Sequence, residues 1–157
     1  MSYSRRRGQT AIEVLFVLAI ILVGGTIVIS SYMGQNRAVS ILTYVRTSAS
    51  DACAYLNSGV ITNESVYSPL NPIINLTNYS FKSFQLAGVG MNESSDIIQI
   101  TVRISYFGSS LEEDTVADAI RRYIEGDLVL RTNVVNESGK LYFGGREIKI
   151  NVEVVRK

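Results

Sequence analysis

The residues best placed to do chemistry stand near the start of the chain, where Gly8-Gln9 is followed by Glu13. A cut between Gly8 and Gln9 would give Gln9 a free α-amine. Glu13, one helical turn further on, would then offer a carboxylate to neutralise it. Within one chain, the start of a helix favours a negative group. Between chains, the amine of one copy could meet Glu13 of the next and set their axial register. Glu13 opens an apolar run, Val14 to Met33, that carries no charged side chain. A carboxylate at the edge of such a run is costly in an apolar medium and usually marks function. Arg5, Arg6 and Arg7 stand just before the cleavage position and are the only basic run.

Elsewhere the chain is poor in reactive side chains. With no histidine, Ser-His-Asp and Cys-His constellations are impossible, and the commonest metal ligand is missing. Ser-Lys pairing is the nucleophilic arrangement that the composition leaves open. Cys53 is the single cysteine, so no disulfide forms within the chain, and a small buried apolar role suits it best. Glu112, Glu113 and Asp114 form an acidic trio, but acids belong in the first turn of a helix, and no metal site is expected from them. No P-loop, dinucleotide fingerprint or Cys-x-x-Cys is present. A net charge of +1 without a basic stripe gives no reason to expect a nucleic-acid partner. We expect no enzyme activity and no cofactor.

These residues need elements to position them. The run after Glu13 has the length of a bilayer span, which takes about 20 residues. The three arginines would hold the amino terminus in the cytoplasm and place everything after Met33 outside. A cleaved secretory signal fits poorly, because the exit Ile29-Ser30-Ser31-Tyr32-Met33-Gly34 has no Ala-x-Ala site. A plain single-span anchor, which has no use for Glu13, and a buried helix of a soluble protein, which the continuous uncharged length argues against, are the other readings. Beyond the run, Ile41, Val45, Ala49, Ala52 and Leu56 continue one apolar stripe at helical spacing. One helix over 9–56 would be roughly 70 Å long, and its outer half would need a cover. Asn57-Ser58-Gly59 should end it.

Residues 57–80 read as irregular, with Pro69 and Pro72 as breakers. Strands are expected at 81–89, 98–106, 128–135, 141–143 and 147–155. The clearest is 98–106, where Ile98, Ile100, Val102, Ile104 and Tyr106 alternate with polar residues. Gly88-Val89-Gly90 reads as a turn, Asn136-Glu137-Ser138-Gly139 as another, and Gly144-Gly145 as a bulge or sharp bend. Ser110-Leu111-Glu112-Glu113 reads as a capping box that opens a short helix with Val116, Ile120 and Ile124 inside and Gly126 as its stop. The expected fold is α+β: a long N-terminal hydrophobic helix packed on an antiparallel sheet with one short extra helix.

Gly8-Gln9-Thr10-Ala11-Ile12-Glu13 resembles the leader of type IV pilins. There a peptidase cuts after glycine, and glutamate is fifth in the mature chain. Glutamine at the first mature position is similar to the archaeal class III signal peptide, with Ala11 where that pattern has serine. The resemblance covers roughly Arg5 to Met33 and implies a pilin-like fold. It implies a leader over 1–8, a helix over 9–56 with 9–33 in the membrane or filament core, and an outer domain over 57–157. It further implies a single-pass membrane precursor with a cytoplasmic amino terminus. The mature protein would sit in an extracellular filament at the cell surface, as a major or minor pilin serving adhesion. The implied partners are copies of itself, a prepilin peptidase, an assembly ATPase, a platform membrane protein, and the membrane before assembly. A tight-adherence-type pseudopilin and an uncut surface binding protein are the alternatives.

Asn-x-Ser/Thr sequons occur at Asn63, Asn75, Asn78, Asn92 and Asn136, all beyond Leu56. They are candidate N-glycosylation positions, and they agree with that part of the chain lying outside.

Overall fold

A computed structural model describes the backbone of residues 3–77, 82–108 and 111–157, and the side chains of these except 3–11, 28–39 and 82. The chain forms two compact units, Met1–Val39 and Ser40–Lys157. Helix α1, Tyr3–Ser58, supplies the first unit and the opening segment of the second.

In the first unit, the described side chains at 12–27 are exposed apart from the half-exposed Gly25. Among the described residues, no helix is long and apolar enough to cross a membrane. This finding overturns the expected single-pass membrane precursor with its cytoplasmic amino terminus, and with it the argument that placed everything after Met33 outside.

The second unit is α+β with a five-stranded mixed sheet. Its elements after α1 are a 3-10 turn Ser65–Tyr67, helix α2 Asn71–Leu76, strands β1 Lys82–Glu93 and β2 Ile97–Gly108, helix α3 Glu113–Arg131, and strands β3 Val135–Glu137, β4 Lys140–Phe143 and β5 Arg146–Arg156. The strand order is β1-β2-β5-β4-β3. The β1–β2, β3–β4 and β4–β5 pairs are antiparallel, but β2 and β5 run parallel, with Ile98 beside Ile148 and Val102 beside Val152. The expectation of a pilin-like long hydrophobic helix on an antiparallel sheet therefore fails on the sheet as well as on the span. Parallel neighbours need a crossover of a dozen or more residues, and α3 lies in the connection between β2 and β5.

Alternation builds the buried face of the sheet. Ile98, Ile100, Val102, Ile104 and Tyr106 of β2 and Ile148, Ile150, Val152 and Val154 of β5 point into one core cluster. The stripe Ile41, Val45, Ala49, Ala52 and Leu56 of α1 joins that cluster and is fully buried, so the second unit covers it. Each valine, leucine or isoleucine among them contributes about 1.5–3 kcal/mol when removed from water.

Several local expectations are corrected. Gly126 does not stop α3. The four-residue spacing of Val116, Ile120 and Ile124 continues to Leu128, all buried, and this burial outweighs the roughly 1 kcal/mol penalty of one helical glycine. Residues 128–131 are consequently helix rather than strand. Glu112, not Ser110, occupies the N-cap of α3, and its carboxylate accepts a hydrogen bond from Thr115 Oγ1 at 2.9 Å; Ser110 lies outside the described residues. Pro72 starts a helix instead of breaking one, because the first turn has no use for its missing N–H. Gly88-Val89-Gly90 lies inside β1, next to a register shift between Leu86 and Gly88. Of the two readings of Gly144-Gly145, the sharp bend holds: both glycines have positive φ and form the two-residue turn between β4 and β5.

A methyl group added at Gly126 meets nothing within 4 Å, and its backbone is helical with negative φ. Gly126→Ala should therefore stabilise the second unit by about 0.5–1 kcal/mol, measured as an upward shift of the urea midpoint at unchanged slope.

Candidate functional site

The most unusual surface is on α1 within the first unit. Val14, Leu15, Phe16, Val17 and Leu18 are consecutive and each at least 50% exposed, and Ile20, Ile21, Leu22, Val23 and Ile27 extend the same surface. Consecutive helical residues advance by about 100°, so five in a row place apolar groups around the whole circumference. Apolar residues on one side of a helix call for one partner. Apolar residues on all sides call for surroundings that enclose the helix.

Glu13 is exposed within this surface. Gly8, Gln9, Arg5, Arg6 and Arg7 fall inside the bounds of α1, but their side chains lie outside the described residues. The cleavage position and the glutamate thus share one helix, four residues apart from Gln9 to Glu13.

A second arrangement, in the Ser40–Lys157 unit, escaped the sequence reading. Asp127 and Ser48 are almost completely buried, and Ser48 Oγ donates to Asp127 Oδ2 at 2.5 Å. Arg131 Nε reaches Asp127 Oδ1 at 2.8 Å, and its Nη1 lies 3.5 Å from Asp51 Oδ2. The guanidinium therefore bridges two carboxylates on different helices. Polar bonds of this kind fasten the last turns of α1 to α3. Asp127 follows Ala119 and Tyr123 on a buried row of α3. One polar residue on a buried row was the signal available, and the expectation of a strand at 128–135 concealed it.

Three tyrosines pack beside these groups. Tyr55 and Tyr67 stack with ring centroids 4.3 Å apart, and Tyr67 and Tyr123 at 5.4 Å. The Tyr55 hydroxyl donates to Asn71 Oδ1 at 2.6 Å and accepts the Thr62 N–H at 2.9 Å, which fixes the segment after α1. Tyr123 Oη is buried, and among the described residues no side chain or backbone group meets it at full hydrogen-bonding geometry, Tyr67 being its polar neighbour. Burial above all, then the negative charge of Asp127, the neighbouring Tyr67 and Asp51, raise its phenol above the usual range. Cys53 is buried nearby in the same core, and desolvation pushes its thiol up to about 12. The cysteine is reduced, and at neutral pH it carries very little thiolate.

The remaining sequence candidates are dispersed. Glu113 and Asp114 occupy the first turn of α3, with Glu112 capping it. Among the described residues, no group of three His, Cys, Asp or Glu is placed to hold a metal. Asn63, Asn75, Asn92 and Asn136 are all exposed, whereas Asn78 lies outside the described residues. A groove of about 440 Å³ lies in the second unit, bordered by Ser65, Val66, Arg122, Val129, Leu130 and Asn136. Nothing about these positions gathers them into a catalytic constellation.

No family model matches the chain, and neither the curated proteins nor the solved structures provide a match.

Proposed function

We propose that this chain is a structural subunit of a pilus-like filament, related in its leader to archaeal type IV pilins, trimmed between Gly8 and Gln9 and serving adhesion. The observation that carries this reading is the all-round apolar surface at 12–27, exposed on the chain by itself. A single partner helix covers one side of such a surface. A helical array of copies gives each helix neighbours on every side, which satisfies the whole circumference. The second unit supplies its own core and needs no partner for it.

In that array the α-amine of Gln9, released by trimming, pairs with Glu13 of a neighbouring copy. The pairing fixes the axial position, because a charge enclosed by apolar helices must find its opposite. A peptidase recognising Arg5-Arg6-Arg7-Gly8, an assembly ATPase and a platform protein are the partners that this reading requires. Catalysis has no part in it.

Intact mass of the native assembled protein tests the trimming: the chain should begin at Gln9. Replacing Gly8 with leucine should leave the first eight residues in place. Glu13→Ala should be trimmed normally yet yield few filaments. A native chain that keeps residues 1–8, or full filament yield from Glu13→Ala, would contradict the proposal.

A further inference from the structure

The described sequons differ in whether their second partner, the hydroxyl two residues after asparagine, can be reached. Asn75 lies in α2, and its hydroxyl partner Thr77 is only 3% exposed. Thr77 Oγ1 donates to the Ile74 carbonyl at 2.6 Å, and the Thr77 N–H also bonds back to the helix. Presenting this tripeptide in an open conformation would unwind α2 and pull Ile73 and Ile74 out of the core.

The other three are built differently. Asn63 precedes the 3-10 turn on extended backbone at Glu64, and both Asn63 and Ser65 are exposed. Asn92 stands near the end of β1, an edge strand, and Ser94 beyond it is exposed, its Oγ donating a longer, surface hydrogen bond to the Ile97 carbonyl at 3.3 Å. Asn136 is on β3, the opposite edge of the sheet, and Ser138 is exposed in the following turn. Asn136 accepts the Gly139 N–H through Oδ1 at 3.1 Å, so the bond uses the oxygen and not the amide nitrogen.

We infer that the folded chain accepts N-linked oligosaccharide at Asn63, Asn92 and Asn136 and refuses it at Asn75. In the transfer, the asparagine amide nitrogen attacks C1 of an oligosaccharide carried on a lipid pyrophosphate. The C1–N bond forms as the C1–O bond to phosphate breaks. The lipid pyrophosphate leaves with the bonding electrons, and the one proton that the amide gives up passes to the leaving pyrophosphate oxygen and the solvent in equilibrium with it. Recognition of the tripeptide needs the asparagine and the hydroxyl exposed together. Three sites meet that condition with no buried side chain of their own to displace; opening Asn92 and Asn136 for attack parts only pairs of edge strands, Glu93 with Ile98 and Glu137 with Lys140. Asn75 meets it only in molecules whose α2 has opened, a minor population.

This inference goes beyond the filament reading, and its test does not involve assembly. The full chain is incubated, folded and separately urea-unfolded then diluted, with a purified oligosaccharyltransferase and a lipid-pyrophosphate oligosaccharide, and each site is followed by peptide mass spectrometry. In the folded chain Asn63, Asn92 and Asn136 should be labelled, with Asn75 slower by about tenfold or more. In the unfolded chain Asn75 should label at a rate comparable to the others. Labelling of Asn75 in the folded chain as fast as Asn92 overturns the inference. So does a folded chain that stays unlabelled at Asn63, Asn92 and Asn136 while the unfolded chain is labelled there.

Discussion

Ile21→Lys should leave the chain unassembled at concentrations where the parent forms filaments, with the second unit folded as before. Ile21 is 63% exposed and belongs to no part of the buried core, so the substitution removes nothing from the fold of the single chain. In the proposed array the same side chain is enclosed by neighbouring helices. Burying it there contributes about 1.5–3 kcal/mol, and an ammonium group enclosed without a partner adds several kcal/mol of desolvation cost. A combined penalty of about 3–5 kcal/mol per subunit raises the concentration needed for assembly roughly a hundredfold or more. Sedimentation velocity reads the effect directly, and circular dichroism checks the fold. Ile21→Leu, which keeps size and polarity, should assemble like the parent. Filaments of Ile21→Lys at the parent's concentration would show that the 12–27 surface is not the contact.

The largest stability loss from one polar side chain is expected at Asp127. Asp127→Ala leaves the buried Ser48 hydroxyl without its acceptor and frees Arg131 from its 2.8 Å partner. Arg131 is half exposed, so water compensates much of its loss. Ser48 is not exposed and has no such recourse. The expected cost is about 2–4 kcal/mol, from the unsatisfied donor together with the space left behind. Ser48→Ala alone should cost about 1–2 kcal/mol, and the double substitution clearly less than the sum, since both remove the same bond. Urea unfolding of the four proteins gives the cycle. A loss under about 0.5 kcal/mol for Asp127→Ala, the range of ordinary surface changes, would mean that the buried pair does not hold α1 to α3.

Much of the second unit could be read from residue spacing. The stripe from Ile41 to Leu56, the alternation in β2 and β5, and the inward face of α3 each follow one period over several turns or pleats, and each is buried. Direction was hidden. Alternation reports that a strand is half buried but says nothing of whether its neighbour runs parallel, so the β2–β5 pairing emerged only from the structure. Punctuation misled where burial overrode it. Gly126 and Pro72 both read as breakers, yet Leu128 carries α3 past the first, and the second sits where a helix tolerates it. The apolar run after Glu13 has the composition of a span, yet among the described residues no helix is long and apolar enough to cross a membrane. Of the candidate positions, Glu13 and the sequons were visible because type and spacing alone define them. The Ser48–Asp127 pair was not, because 79 residues separate its members and only the packing of α1 against α3 joins them.

Enclosure of the 12–27 helix on all sides can be measured with four single substitutions, Val14→Cys, Leu15→Cys, Phe16→Cys and Val17→Cys, placed at successive 100° steps. Cys53 gives little background, being buried with its thiol pushed up to about 12. Each variant is treated with a water-soluble maleimide, dispersed and assembled. All four thiols should react when dispersed, and all four should be protected when assembled. Protection confined to neighbouring directions such as Val14 and Val17, with Leu15 or Phe16 still reactive, would indicate a one-sided partner and contradict a filament core.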